Sequence, residues 1–344
     1  MKILALDLGK NKSVFLDYLT GEDGRNYGKI GANAHELEKL LRRCVPDRLV
    51  IEAGPAAGWV CDLAQKMKIP VQVANGNDER RRWKVVKEKS DRKDALKLAQ
   101  LSEMDSLPTV HVPESSVRQW RSLIGYRHGL VDRRTAIQNS IRAIYERQGL
   151  ALPSANKAWN AQAVQEMKEQ ASARSPEQLW LFQVERELQL LESLQEQIDE
   201  VEAKLEEQAQ ADGRVEQLQT APCVGPRLSE AVVAILDDPH RFKSGRQVGC
   251  YAGLTPRRWQ SGQSDRQGHI SHAGNGLLRK LLVQIAWRGV QCGTWMLDVY
   301  EQVRRGSDKR KKIAIVAVAR RLLVRLWAML RDRTRWKEPM PTLT

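Results

Sequence analysis

The 344-residue chain has no run of about 18 uninterrupted apolar residues, the length a helix needs to cross a bilayer. Its first residues enter a strand pattern rather than a signal peptide, so a cytoplasmic protein with no membrane partner is expected. Cysteine is scarce and scattered. Cys44, Cys61, Cys223, Cys250 and Cys292 are odd in number and lack CxxC spacing, which argues against a zinc site or a disulfide framework. Reduced thiols are the expectation. Negative charge is also short, with 42 acidic residues against 56 Lys and Arg, a net charge of +14. Such an excess calls for a polyanionic partner, nucleic acid or a membrane surface. The 42% hydrophobic content excludes a disordered chain and supports real cores.

The charge is unevenly placed. Residues 177–210 carry ten acidic and two basic side chains, leaving +22 on the rest. Residues 79–93 carry eight basic and three acidic ones, and residues 304–338 thirteen against three. A charge run is ordinarily a solvated face; the segment before Asp91 is read instead as a nucleic-acid contact through Arg80, Arg81, Arg82, Lys84 and Lys87. Tryptophan is frequent, 10 in all. Trp83, Trp259, Trp287 and Trp336 lie beside basic residues, where packing under arginine stems competes with stacking on bases.

KILALDL (2–8) and SVFLDYL (13–19) read as a hairpin, with a third strand near 26–31. AHELEKLLRRC (34–44) has helical spacing, DRLVIEA (47–53) reads as an interior strand, and a helix over 57–67 and a strand over 70–74 continue the alternation. The result is an α/β layer sandwich with an antiparallel meander at its start. A helix over 115–148 bears an apolar stripe together with Arg118, Arg121, Arg127, Arg133, Arg134 and Arg142, which either reach phosphates or stay solvated. From Ser175 to about residue 210, Val184, Leu188, Leu191, Leu194, Ile198, Val201 and Leu205 form a coiled-coil or helical-hairpin seam. Its partner is the 115–148 helix or another subunit. Residues 218–236 resemble a helix-hairpin-helix element, which would offer backbone N–H groups to a phosphate. Residues 246–276 read as a long polar loop of the kind that carries function, and 313–330 as a core helix interrupted by arginines.

Asp7 and Glu52 end strand patterns, and Asp91 and Asp94 stand three apart at a helix start, on one helical face. The four are spaced as ribonuclease H-like nucleases space theirs. Carboxylates are hard oxygen donors suited to Mg²⁺, and paired ions can activate a nucleophile and stabilise a leaving oxygen in phosphoryl transfer. Asp91 alone could be an N-cap, since Ser-Asp before a helical run is a common start signal.

LALDLGKNKS, VIEAGPA, KSDRKDALKLA, APCVGP, YAGLTPRRWQSG and HISHAGNGLLRKLL occur in this order, and the chain resembles the insertion-sequence one-ten family of DEDD transposases over nearly its whole length. The resemblance implies a RuvC-like domain over 1–110, a helical linker and coiled coil over 111–212, and a mainly helical transposase domain over 213–344. It carries the four acids to Asp7, Glu52, Asp91 and Asp94, and the nucleophilic serine of the SG motif to Ser261. Ser264, Ser271 and Tyr251 are weaker alternatives. Arg257 and Arg258 could neutralise an attacked phosphate. A serine needs a base or metal to activate it, so the acids and Ser261 are expected to form a composite site, within one subunit or across subunits of a dimer or tetramer. The family also implies a structured guide RNA that pairs with donor and target DNA. At His272 the resemblance leads to the expectation of a lysine in many relatives. Two rival readings are a Holliday-junction nuclease using water and a non-catalytic DNA- or RNA-binding protein.

Overall fold

Residues 2–7 alternate between two buried faces, and that alternation sets the architecture of the first part of the chain. The computed structural model describes residues 1–21, 25–76, 90–153, 155–261 and 264–337, which divide into two compact units, Met1–Arg118 and Gln119–Thr344. In the first, strands β1 (Lys2–Asp7), β2 (Lys12–Leu19), β3 (Arg25–Gly31), β4 (Arg48–Glu52) and β5 (Val71–Ala74) form one sheet in the order β3-β2-β1-β4-β5. β1, β2 and β3 run antiparallel as a meander, whereas β4 lies parallel to β1, and β5 parallel to β4. Leu4, Leu6, Phe15, Leu49 and Ile51 pack under helices α1 (Ala34–Cys44) and α2 (Ala57–Lys66). Ile3, Ala5, Leu16 and Val50 face helix α3 (Asp91–Glu103) through Ala95, Leu98 and Ala99. The expected layer sandwich is present, each face supplied by alternate residues of the same strands.

The second unit is mainly helical. Helix α4 (Ser115–Arg147), most of which lies in this unit, is followed by α5 (Ala161–Ser172) and α6 (Leu179–Gln210). The α6 seam, Val184, Leu188, Leu191, Leu194 and Ile198, packs on Leu130, Ile137, Ile141 and Ile144 of α4 and Met167 of α5. Its partner is therefore α4 of the same chain, and the seam by itself no longer calls for a second subunit. Five of the arginines of α4 find partners within the protein, whereas Arg133 stays exposed. Arg118 pairs with Asp62 and Arg127 with Glu202, while Arg134 donates to Gln195 Oε1 at 2.8 Å and Arg142 to Pro153 O at 3.0 Å.

The rest of the unit surrounds α12 (Lys311–Asp332), whose Val318, Ala319, Leu322, Leu323 and Leu326 are buried among α7 (Gly213–Gln219), α8 (Pro226–Leu236), α9 (Gly245–Tyr251), α10 (Gly276–Gln291) and α11 (Trp295–Arg304). Its interrupting Arg325 stacks 4.4 Å from the Trp295 ring centre and 4.7 Å from that of Trp336, so cation–π contact keeps the charge at the edge of an apolar helix. Arg121 donates to the carbonyls of Ala234 and Ile235 at 2.6 and 3.0 Å, and Arg241 to that of Leu236 at 3.0 Å. Two cations thereby cap the C-terminal end of α8, where orphan carbonyls and the helix dipole favour them. Within α8 sits Glu230, 0% exposed. Its Oε2 accepts from Arg227 at 3.0 Å, but Oε1 has no hydrogen-bond partner among the described residues. Burial pushes this carboxyl up to about 7, against the pull of Arg227 and Arg127 and aided by Glu206 and Glu202.

The 246–276 segment departs from the expected loop. It holds most of α9, the start of α10, and between them an antiparallel hairpin of β6 (Pro256–Ser261) and β7 (Ser264–Ile270). Every residue of β6 is exposed, so no buried face imprints an apolar alternation on the sequence. Among the described residues no helix is long and apolar enough to cross a membrane.

Candidate active site

Register brings the first two acids together. β1 and β4 pair in parallel with Leu6 opposite Ile51, so the next residues, Asp7 and Glu52, stand side by side at the C-terminal ends of adjacent strands, about 4.8 Å apart along the hydrogen-bonding direction. Both are half-buried. α3 lies across the same strands in the opposite sense. Its last turn reaches their start, where Arg48 donates to Ser102 O at 3.0 Å and Tyr18 to Glu103 Oε2 at 2.6 Å. Its 13 residues span about 20 Å, so its first turn, with Asp91 and Asp94, lies toward the end of the sheet that carries Asp7 and Glu52. Ser90, not Asp91, is the N-cap of that turn, its Oγ accepting from Lys93 N at 3.3 Å. Asp91 is exposed and Asp94 half-buried, and acids in a first turn also suit the helix dipole.

The donor set is all carboxylate, which fits a hard divalent cation. Among the described residues no group of three or more His, Cys, Asp or Glu side chains is drawn together closely enough to hold one. The four acids share one end of the unit without closing a coordination shell. Arg80, Arg81, Arg82, Lys84 and Lys87, read as nucleic-acid contacts, lie outside the described residues, as does Trp83.

Ser261 is the last residue of β6, exposed, and pairs in register with Ser264. The hairpin is tied down at its base. Ser271 N bonds to Thr255 O at 2.9 Å, and Arg279 donates to Ala252 O at 3.1 Å and Ala273 O at 2.8 Å. Gly253 and Gly274 sit at this crossing with φ of +69° and +77°; a Cβ on Gly253 would lie 1.9 Å from Ala273 O, and one on Gly274 1.9 Å from Tyr251 O. Two backbone segments thus pass at a distance only glycine permits, and the GLTP and HAGNG stretches are where they meet.

Along the hairpin, Arg258 grips Asp265 with two 2.7 Å hydrogen bonds, and its guanidinium holds Asp265 below the usual carboxylate range. Arg257 donates to Ser271 O at 3.3 Å. The two arginines expected to meet phosphate therefore also brace the hairpin that carries the serine. The Arg258–Asp265 clamp was not anticipated, since a diagonal cross-strand pair becomes visible only once the register is known. Tyr251 is committed elsewhere, edge-on to Phe242 with Arg241 4.5 Å from its ring centre.

Residues 5–147 match a family model described as a transposase of the DEDD type, and residues 215–301 one described as the transposase IS116/IS110/IS902 family. A Pseudomonas aeruginosa protein named "Probable family 20 transposase" is 30% identical over 253 residues, 72% of this chain and 74% of that protein. The chain belongs to the IS116/IS110/IS902 transposase family. The transposase for insertion sequence element IS1111A of Coxiella burnetii is 29% identical over 70% of this chain and 66% of its own, and that of IS1328 of Yersinia enterocolitica 24% over 83% and 82%. The Thermus thermophilus RuvC structure aligns with 32% of this chain and 100% of its own at 13% identity, with a TM-score of 0.24, too low to carry weight. Asp7, Glu52, Asp91 and Asp94 fall inside the first matched region of the transposase, and Ser261 with its hairpin inside the second.

Proposed function

We propose that this transposase is a site-specific recombinase of an insertion sequence in which Ser261 attacks a DNA phosphate while Asp7, Glu52, Asp91 and Asp94 hold Mg²⁺. The carrying observation is the placement of Ser261: an exposed hydroxyl at the end of a strand, on a cationic hairpin braced at its base by a glycine crossing. Ser261 Oγ bonds to phosphorus, the bond from phosphorus to one deoxyribose oxygen breaks, and that oxygen leaves with a proton as a free hydroxyl. The DNA end stays attached through phosphoserine, and attack by another strand's hydroxyl reverses the step and completes exchange. A bound divalent cation would neutralise charge on the phosphate as it is attacked. Arg266 and the basic segment containing Arg80, Arg81, Arg82, Lys84 and Lys87 would track the backbone.

The finer parts of this reading follow from chemistry and family resemblance. The first unit is a ribonuclease H-like, RuvC-like domain, a reading that its strand order and the two strand-end acids support. The α4–α6 pair is the coiled-coil segment, and α7, the 220–225 turn and α8 form the helix-hairpin-helix-like element. Functionally the chain divides into 1–110, 111–212 and 213–344. Exchange breaks more than one strand and each chain carries one Ser261, so a dimer or tetramer is required. A structured guide RNA selects donor and target by pairing.

Incubating the purified transposase with its element's end DNA and separating products under denaturing conditions tests the serine. A covalent protein–DNA adduct is expected from the wild type and none from Ser261→Ala. Normal recombination by that variant sinks the assignment. The side-by-side placement of Asp7 and Glu52 also favours a second reading, a junction-cutting nuclease with water as nucleophile, in which Ser261→Ala still cuts branched DNA.

A further inference from the structure

Trp259 is 58% exposed on a hairpin whose other side chains, apart from Pro256 and Ile270 at its base, are polar or charged, and nothing in the catalytic reading uses it. An indole left in water on a basic strand forgoes the burial that drives most aromatic side chains inward. Its ring is not adrift. It lies over Gly268, where a Cβ would meet ring carbons Cζ3 and Cη2 at 2.6 and 3.0 Å. A bare backbone position on the neighbouring strand thus makes room for the ring and supports it.

Strand geometry decides what shares that face. Side chains alternate along a strand, so Trp259 and Ser261 project to the same side, about 7 Å apart. Trp259 pairs with Arg266 and Ser261 with Ser264, so these partners project to that side as well. Arg258 and Asp265, one residue out of phase, clamp the opposite face. The Trp259 face therefore offers one aromatic plane, one guanidinium with no carboxylate partner among the described residues, and two hydroxyls. A flat apolar ring beside a cation is what a nucleotide needs, base on the ring and phosphate on the charge.

We propose that Trp259 is a stacking platform for one unpaired DNA base beside the phosphate that Ser261 attacks. The assignment rests on Ser261 as nucleophile for the word "beside"; the stacking itself does not. A base within a duplex already has neighbours on both faces, so only one lifted out of the stack can lie on the indole. Strand exchange must open the duplex where it cuts, which supplies such a base at the attacked step. DNA is the source because the family's reaction is on DNA and Ser261 shares the face. Trp259 is thereby a positioning residue for the substrate, and its neighbour Arg266 takes the flanking phosphate.

Binding of dye-labelled oligonucleotides to the full-length protein, read by fluorescence anisotropy, tests this without requiring chemistry. The probes are single-stranded DNA, the same sequence as duplex, and the same sequence as single-stranded RNA. Trp259→Ala and Trp259→Leu should weaken single-stranded DNA binding by about 5- to 150-fold, the range for loss of one base–aromatic stack. They should leave duplex binding nearly unchanged, and Trp259→Phe should stay within a few-fold of wild type. The Leu variant covers Gly268 without a flat π face, so recovery by Leu would show a packing role and overturn the proposal. Equal losses on single strand and duplex, no loss at all, or a loss confined to RNA would overturn it too. Because the readout is binding, an adduct persisting in Ser261→Ala would refute the serine assignment and leave the stacking result standing.

Discussion

Replacing Gly253 by alanine tests whether the backbone crossing under the hairpin is what holds Ser261 in place. Two penalties are expected. The residue sits at φ +69°, in the left-handed region where a Cβ costs about 1–2 kcal/mol. The added methyl would also lie 1.9 Å from the Ala273 carbonyl oxygen and 2.8 Å from its nitrogen, both backbone atoms that cannot swing aside as a side chain would. The crossing strands must part by about an ångström, an overpacking strain of about 1–3 kcal/mol, for a total of about 2–5 kcal/mol. Gly293 supplies the control. Its φ is +66° but no atom lies within 4 Å of its would-be Cβ, so Gly293→Ala should show only the conformational part, about 1–2 kcal/mol. Hydrogen exchange resolved by peptide is the suitable assay, because a chain of two units need not unfold in one step. Gly253→Ala should raise exchange at Leu254 and Ser271, whose amides bond beside and across the crossing, and lower the yield of the proposed Ser261–DNA adduct. If protection there matched that of Gly293→Ala and adduct formation were normal, the close approach would not be holding the hairpin.

Two further outcomes follow from local structure. Ser90→Ala removes the side-chain acceptor for Lys93 N, worth about 1 kcal/mol at an N-cap; the first turn of α3 should fray and the Mg²⁺ concentration for half-maximal adduct formation should rise. An unchanged Mg²⁺ midpoint would detach Asp91 and Asp94 from metal binding. Glu230 gives a pH dependence. Its carboxyl is raised by burial from 4.5 to about 7, so between those values the folded chain keeps a proton that the unfolded chain has released. Stability from this group is complete below about 4.5 and is lost as pH rises through about 7, by ~3 kcal/mol at most. Glu230→Gln should abolish that slope, so the difference between variant and wild type in urea unfolding should widen from pH 4.5 to 8. Parallel curves would refute it.

What the sequence made legible depended on whether a residue pattern met a core. KILALD and RLVIE were readable because each of their faces is buried, and burial leaves alternation or an unbroken apolar run as its trace. Asp7 and Glu52 were readable for the same reason, as charged residues that end those runs. The hairpin carrying Ser261 has no buried face in β6, so its strands look like a Gly-, Ser- and Arg-rich loop until the register is seen. Periodicity showed that α6 has a seam but not which surface covers it, because α4 and a second subunit would offer the same kind of apolar stripe. The two glycines at the crossing were visible as residues, yet their need for close approach depends on segments some twenty residues apart meeting in space.

The charge of the chain misleads in the same way. Arg121 and Arg241 are spent on the carbonyls at the end of α8, Arg127 on Glu202, Arg325 on two tryptophans and Arg258 on Asp265. Each of these guanidiniums solves a problem inside its own unit: an orphan carbonyl, a half-buried acid, an exposed strand pair or, for Arg325, a charge set within an apolar helix. Arginine suits that work because its planar fork satisfies several acceptors at once. The Arg127 and Arg258 pairs already cancel within the net charge of +14, but Arg121, Arg241 and Arg325 count towards it while turned to carbonyls and rings, so the figure overstates the cationic surface left for a polyanion. What distinguishes the hairpin is not its charge count but the separation of its two faces: on one, Arg258 is neutralised for the sake of rigidity, and on the other, Arg266 stands beside an exposed indole and the serine.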